Sequence, residues 1–271
     1  MLNKIINERS EYLKKILVPW KDNILNKLNL KKRIFRITEF KYVVNALSTN
    51  KAVFSNPRSW SDPYDSLFIK SIIRLKNGSL ANQTYKDDYF VQCWAYQNFE
   101  SDAMWRIYSQ PESGEKHNNV MILSTPEKLM DSLWDDNDKN IHLNLFLGKV
   151  KYVAKSKLLD EDFFSGLIGN TSLGLTRALF LTLLFKTNAY NHENEIRFIM
   201  NQKTNSYQKR ISVNHGINFS KLIDKIIVDP RASDEFYKVV KSKILELGFG
   251  HIKIIKSKML KSEKIIYNLS L

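Results

Sequence analysis

The chain has 271 residues, of which 43% are apolar and 12% aromatic, so it can bury a sizeable core and is no disordered polymer. Its 42 Lys and Arg against 28 Asp and Glu give a formal charge of +14 and a pI of about 9.6, and its lone cysteine, Cys93, excludes an intrachain disulfide. The longest strongly apolar run, Ala178 to Phe185, stops at Lys186 before it could span a bilayer, and Glu8 and Glu11 stand where a secretory leader needs an uncharged stretch, so the expectation is a soluble protein of the reducing cytoplasm.

Leu13, Ile16, Leu17, Trp20 and Ile24 recur at helical spacing and are interrupted by Pro19. Residues 1–31 therefore read as a basic helical extension, two short helices or one kinked one. Charge is gathered at both ends: residues 1 to 36 hold ten Lys or Arg and three acids, and residues 251 to 271 hold five Lys and one Glu. Alternation from Arg33 predicts a strand to Thr38, then a helix at 39–49 and a strand at 52–55. Asn56-Pro57 and Asp62-Pro63 shape the next loop, with Asp62 placed to cap a helix beginning at Pro63. Strands are predicted at 89–96, 119–123 and 144–154, helices at 102–108 and 126–133, and an acidic loop at Asp135, Asp136 and Asp138. A buried helix at 174–187 is followed by a strand pair at 195–200 and 209–213. A strand at 222–228, a helix at 232–247 ending near Gly248, and strands at 252–255 and 265–267 complete the series. No linker divides residues 32–271, which predicts one α+β domain behind the N-terminal arm.

The sharpest local feature is His192-Glu193-Asn194-Glu195-Ile196-Arg197, an E-x-E step entering a strand. Side chains two apart on a strand share a face, so both carboxylates can enter one cleft, where like charges divide their roles between a hydrogen-bonding anion and a proton acceptor. A surface ion-pair cluster gives the same pattern. His117, His142, His192, His215 and His251 are scattered and no Cys is paired, so no metal site is expected; neither a P-loop nor a G-x-G-x-x-G is present.

Four segments in order carry a resemblance: F-S-N-P-R-S-W-S-D-P-Y-D from Phe54 to Asp65, A-M-W-R-I-Y-S from Ala103 to Ser109, N-A-Y-N-H-E-N-E-I-R from Asn188 to Arg197, and I-D-K-I-I-V-D-P from Ile223 to Pro230. Together they resemble a prokaryotic family of uncharacterised domains. More distantly the chain resembles ADP-ribosyltransferases of the Arg-Ser-Glu type, with Arg36 in the first core strand, Ser55 in the second and Glu195 in the E-x-E step. That resemblance implies a mixed, largely antiparallel β core flanked by helices, and NAD as the substrate. It assigns Glu195 to the ribose hydroxyl, Arg36 to the pyrophosphate, Ser55 to support of Glu195, and Glu193 to the acceptor. Tyr64, Trp105, Arg106 and Tyr108 are candidate cofactor contacts.

The basic ends suggest a nucleic-acid acceptor, RNA or single-stranded DNA, gripped by Lys253, Lys256, Lys258 and Lys261. Such an activity suits a toxin or phage-defence effector held by a neutralising antitoxin protein. Two other readings stay open, a non-catalytic nucleic-acid-binding module and a metal-dependent nuclease using Asp62, Glu193 and Glu195.

Overall fold

Tyr89–Ala95 is apolar on both faces, as a central strand must be, and this strand (β3) organises the sheet. In the computed structural model it pairs antiparallel along its whole length with β8 (Glu195–Asn201), which pairs in turn with β5 (Leu145–Lys149). The other edge of β3 is shared. β1 (Ile34–Glu39) meets it at Phe35 opposite Ala95, and β2 (Lys51–Ser55) meets it at Ser55 opposite Val91. Between those two points β1 and β2 diverge and a gap opens. β1 leads outward through β4 (Asn119–Ser124) and β10 (Lys225–Val228) to the parallel β11 (Lys253–Lys256), whereas β2 leads to β9 (Ser212–Gly216).

The structure describes residues 20–72, 74, 78–80, 88–109, 117–134, 144–169, 175–202 and 212–262. The predicted helix before Pro19, the acidic loop at Asp135, Asp136 and Asp138, and the strand at 265–267 lie outside them. No helix among the described residues is long and apolar enough to cross a membrane.

The divergence of β1 and β2 is bridged by α1 (Phe40–Thr49), which buries Phe40, Val43 and Leu47 against the core and stops at Asn50 in the left-handed region, φ 51°. On that face Ile34, Trp94, Val120, Ile196 and Ile226 pack together with Val240 and Ile244 of a second helix, Asp234–Glu246. On the opposite face Phe35, Ile37, Met121 and Ile227 pack against Met104 and Trp105 of the helix Asp102–Tyr108. Fully buried rings such as Phe54, Phe90, Phe198 and Trp105 contribute on the order of 2–3 kcal/mol each by leaving water. Ser101, Thr125 and Ser233 cap their helices by accepting from Met104, Lys128 and Phe236 backbone N–H groups, so these starts were legible in the sequence.

Five expectations change. Residues 20–31 are no helical arm: Lys21–Asn23 is a single turn, Trp20 is buried with its indole donating to Asp131, and Asn23 and Asn26 donate to carbonyls of β5. The stretch 144–154 breaks at Val150, whose N–H donates to the Glu195 carbonyl, and the chain then enters a small parallel sheet of β6 (Lys151–Val153) and β7 (Phe185–Thr187). The predicted buried helix is accordingly shorter, Leu175–Thr182, because the apolar run supplies both helix and strand. The E-x-E strand pairs with β3 and β5, and β9 pairs with β2 instead. Finally, Asp62 Oδ1 accepts from the Tyr64 N–H without starting a helix; the helix there is only Leu67–Lys70, after Ser66 at φ 56°.

Gly148 serves the packing of β5. It lies opposite Arg197, and a Cβ there would meet Leu184 Cδ1 at 2.3 Å, so the absence of a side chain lets the segment carrying Leu183 and Leu184 close on β5.

Candidate active site

A cavity of about 510 Å³ occupies the gap in the sheet, a size within the roughly 300–1,000 Å³ of small-molecule sites. Consecutive residues of both strands line it, Phe35 to Ile37 of β1 and Val91 to Ala95 of β3, which shows that it reaches between the strands and not merely across one face. Ser55, Trp60, Asp62 and Asp65 come from the end of β2 and the loop after it, Met104 and Tyr108 from the helix Asp102–Tyr108, and Lys186, Tyr190, Glu193 and Glu195 from β7 to β8. Three of the four motif segments thus converge on one hollow. The fourth, Ile223 to Pro230, forms β10 in the outer part of the sheet.

Glu193 and Glu195 reach the cavity by a route that strand periodicity alone does not describe. Glu193 ends a 3-10 turn, Asn188–Glu193, and Asn194 reverses the chain at φ 41° with its amide donating to the Tyr96 carbonyl. Glu195 then opens β8. Its carboxylate accepts from Arg197 Nε at 3.0 Å and Nη2 at 3.2 Å, because residues two apart on a strand share a face. Arg197 is fully buried; its Nη2 also reaches Asp65 at 2.7 Å, and its Nη1 donates to the Leu183 carbonyl at 2.6 Å and Ser66 Oγ at 3.2 Å. Lys186 completes the cluster with Glu193 at 2.6 Å, Asp65 at 3.4 Å and Glu195 at 3.7 Å.

This cluster holds three carboxylates and two cations out of bulk water. Burial pushes the Asp65 carboxyl up, but Arg197 and Lys186 outweigh it and hold Asp65 below its ordinary value. Burial likewise opposes the charge on Arg197 and Lys186; Glu195 and Asp65 reverse that effect, and both cations sit above their ordinary values. Tyr108 donates its phenol proton to Glu193 Oε1 at 3.2 Å, and burial with the nearby carboxylates pushes that phenol far up, so it stays a donor. The Cys93 thiol is pushed well up by burial and by Glu195, which disfavours the nucleophilic thiolate.

The guanidinium of Arg36 stands differently. It lines the same cavity, and no hydrogen bond or ion pair engages its side chain among the described residues. Burial lowers its pKa, yet arginine stays charged in proteins, so the cavity wall carries a cation with no direct partner among the described residues.

Ser55 also lines the cavity, without touching Glu195. Its Oγ accepts from the Trp60 indole N–H at 3.0 Å and donates to the Val91 carbonyl at 3.4 Å. The Trp60 ring lies 4.9 Å from the Arg197 guanidinium, so Ser55 acts at two removes: it fixes the indole, the indole face carries Arg197, and Arg197 grips Glu195. Tyr108 is in the wall, as its position in the motif suggested. Trp105, Arg106 and Tyr64 are not. Trp105 is wholly buried and donates to Glu100, Arg106 is exposed and pairs with Asp102 at 2.7 Å, and the Tyr64 ring faces the Lys155 ammonium at 4.2 Å.

The C-terminal lysines lie on and beyond β11. Lys253, Lys258 and Lys261 are exposed, while Lys256 is paired with Asp234 at 2.7 Å. Met259 joins the apolar cluster of Phe35, Ile37 and Met104 that also lines the cavity, which brings the basic segment beside it. Asp65 and Lys186 received no role from the sequence. The available signal was an acid closing the D-P-Y-D motif and a lysine continuing an apolar run into a strand. Among the described residues no group of three His, Cys, Asp or Glu side chains converges as a metal-binding set.

No family model matches the chain, and no curated protein matches it. Among solved structures it is similar to Thermus sp. 2.9 DarT in complex with NAD+, at a TM-score of 0.41 and 11% identity over 86% of this chain and 98% of that one. The same protein in complex with carba-NAD+ gives 0.39 and 12% over 84% and 96%, and in complex with ADP-ribosylated ssDNA 0.39 and 11% over 86% and 97%.

Proposed function

We propose that the chain is an ADP-ribosyltransferase that breaks the nicotinamide–ribose bond of NAD and transfers ADP-ribose to a nucleic acid, RNA or single-stranded DNA. The observation that supports this most is a clamped carboxylate, Glu195, sharing one cavity with an unengaged guanidinium, Arg36. Arg36 offers a forked donor to the pyrophosphate. Glu195, held by Arg197, accepts from the ribose hydroxyl and strengthens that bond as positive charge develops on the sugar. The C1′–N bond breaks and its electron pair leaves with nicotinamide, neutralising the pyridinium ring. A nucleophilic atom of the acceptor forms the new bond to C1′, and its proton passes to Glu193.

A metal-dependent nuclease is less well supported, because Glu193 and Glu195 are paired with Lys186 and Arg197, whose positive charges would repel a divalent cation there. A binding module without catalysis gives no account of three buried carboxylates beside a cavity. As an unopposed modifier of nucleic acid the protein would arrest growth, which suits a toxin or phage-defence effector with a neutralising protein partner.

Incubation with labelled NAD and, in parallel, RNA, DNA and total protein tests the reading. Label in a nucleic-acid fraction is the expected result; label confined to protein, or none anywhere, refutes the acceptor class. In the same assay Arg36→Ala raises KM for NAD by roughly 10-fold or more, the scale of a lost charge-assisted contact, and weakens the acceptor less. The reverse order in titrations would move Arg36 to the acceptor surface.

A further inference from the structure

A second hollow, about 470 Å³, lies around the end of β3 and is lined by Asn29, Lys31, Lys32, Arg33 and Asn98. It belongs to no motif noted in the sequence. Its wall contains three consecutive cations and no carboxylate, and none of the three is ion-paired among the described residues. We propose that this groove holds the phosphates of a single-stranded nucleic acid on its way to the cavity, with one base stacked on Phe99. The proposal rests on the ADP-ribosyltransferase reading for its purpose, and on the groove alone for the binding.

The groove is built, not a chance crowding of lysines. The Asn29 N–H donates to the Tyr96 hydroxyl at 3.0 Å, that hydroxyl donates back to the Asn29 carbonyl at 3.2 Å, and Asn29 Oδ1 accepts from the Lys31 N–H at 3.0 Å. The Lys32 ammonium lies over the Tyr96 ring at 4.2 Å. The turn that carries the cations is thus pinned to the end of β3. Three neighbouring cations on a pinned turn concentrate a polyanion, and each phosphate neutralised releases counterions.

Position connects the groove to the chemistry. Ala95 lines the catalytic cavity and Asn98, three residues on, lines the groove, a span of at most about 10 Å. Between them the Gln97 amide donates to the carbonyls of His192 and Glu193, at 2.8 and 3.3 Å, tying this loop to the turn that presents Glu193. Phe99 follows Asn98 in the chain with 72% of its surface exposed, a flat apolar face one residue on from the groove wall. An unpaired base can stack on such a face; a base inside a duplex cannot, which favours a single strand. The segment Lys31 to Arg33 thus joins the C-terminal lysines, one of which is committed to Asp234, as a second grip on the strand.

Fluorescence anisotropy with a labelled single-stranded oligonucleotide, its duplex and polyglutamate tests this across a salt series. Replacing Lys31, Lys32 and Arg33 together by Gln lowers single-strand affinity on the order of 10- to 50-fold at physiological salt and reduces the log–log salt slope by about 2. Phe99→Ala costs roughly 5-fold or more on the single strand and little on the duplex, and Phe99→Trp restores it. Lys31 and Arg33 are exposed and Lys32 is half-buried over the Tyr96 ring, so a fall of no more than a few degrees in melting temperature accompanies the loss. Unchanged affinity and slope in the triple variant overturn the proposal, and so does tighter binding of polyglutamate than of the oligonucleotide. Loss of binding in the triple variant, with no nicotinamide release by the unaltered chain, keeps the groove and removes the enzymatic reading.

Discussion

Glu195→Gln is expected to lower nicotinamide release by about 10³-fold while the melting temperature moves by no more than a few degrees. The loss follows from the removed anion: a preorganised charge facing a developing cation in a water-poor cavity is worth several kcal/mol in the transition state and little in the ground state. The tolerance follows from the cluster. Three carboxylates face two cations there, so removing one negative charge leaves Asp65 and Glu193 against Lys186 and Arg197. The amide oxygen keeps the shape and one acceptor for Arg197. Nicotinamide release followed by chromatography, beside a thermal melt, separates the two effects; full activity in a folded variant would remove Glu195 from the mechanism.

Arg197→Ala carries the largest expected effect on stability, a loss of about 3–5 kcal/mol, because it strands buried carboxylates without their principal partner. For a domain of this size that corresponds to a fall of roughly 10 °C in melting temperature. Contact with the Trp60 face and the bond to the Leu183 carbonyl are lost as well. Combining Arg197→Met with Asp65→Asn and Glu195→Gln should recover much of the stability and none of the activity, which distinguishes a charge imbalance from a packing defect. Acid reads the same network. The folded pKa of Asp65 lies below its ordinary value of 3.8, so its contribution is present above about pH 4 and is lost as pH falls through the folded value. At the alkaline end Lys186 lies above 10.5, so its contribution is present below that pH and lost as pH rises beyond it. A wild-type melting temperature that is flat from neutrality down to pH 2 would contradict the assignment of Asp65 as a charged partner.

Elements whose signals are local were legible in the chain. β1, α1, β2, β3, the helices at 102–108 and 126–133, and β11 follow from period-2 or helical spacing with Ser or Thr at the caps, and the structure returns them within a residue or two at each end. Elements that failed did so where one apolar run served two purposes. Ala178 to Phe185 supplies the end of a helix and the start of β7, and periodicity cannot divide it, since both halves are buried. β8 pairs with β3 and β5, and β9 with β2, because the sheet divides around β3, a choice made by partners from about 50 to about 160 residues away.

The sequence by itself determined that a basic α+β chain carries an E-x-E step, an arginine in its first strand and a serine in its second, since composition and short-range spacing are properties of neighbours along the chain. Only the tertiary structure decided what those residues do. Asp65 and Arg197 are 132 positions apart, and Lys186 sits in a stretch that reads as plain core, yet Coulomb attraction out of bulk water makes them one unit with Glu195. The same holds for the cavity itself: no local pattern marks a gap between two strands, which exists because β1 and β2 each touch β3 at one end and part in between.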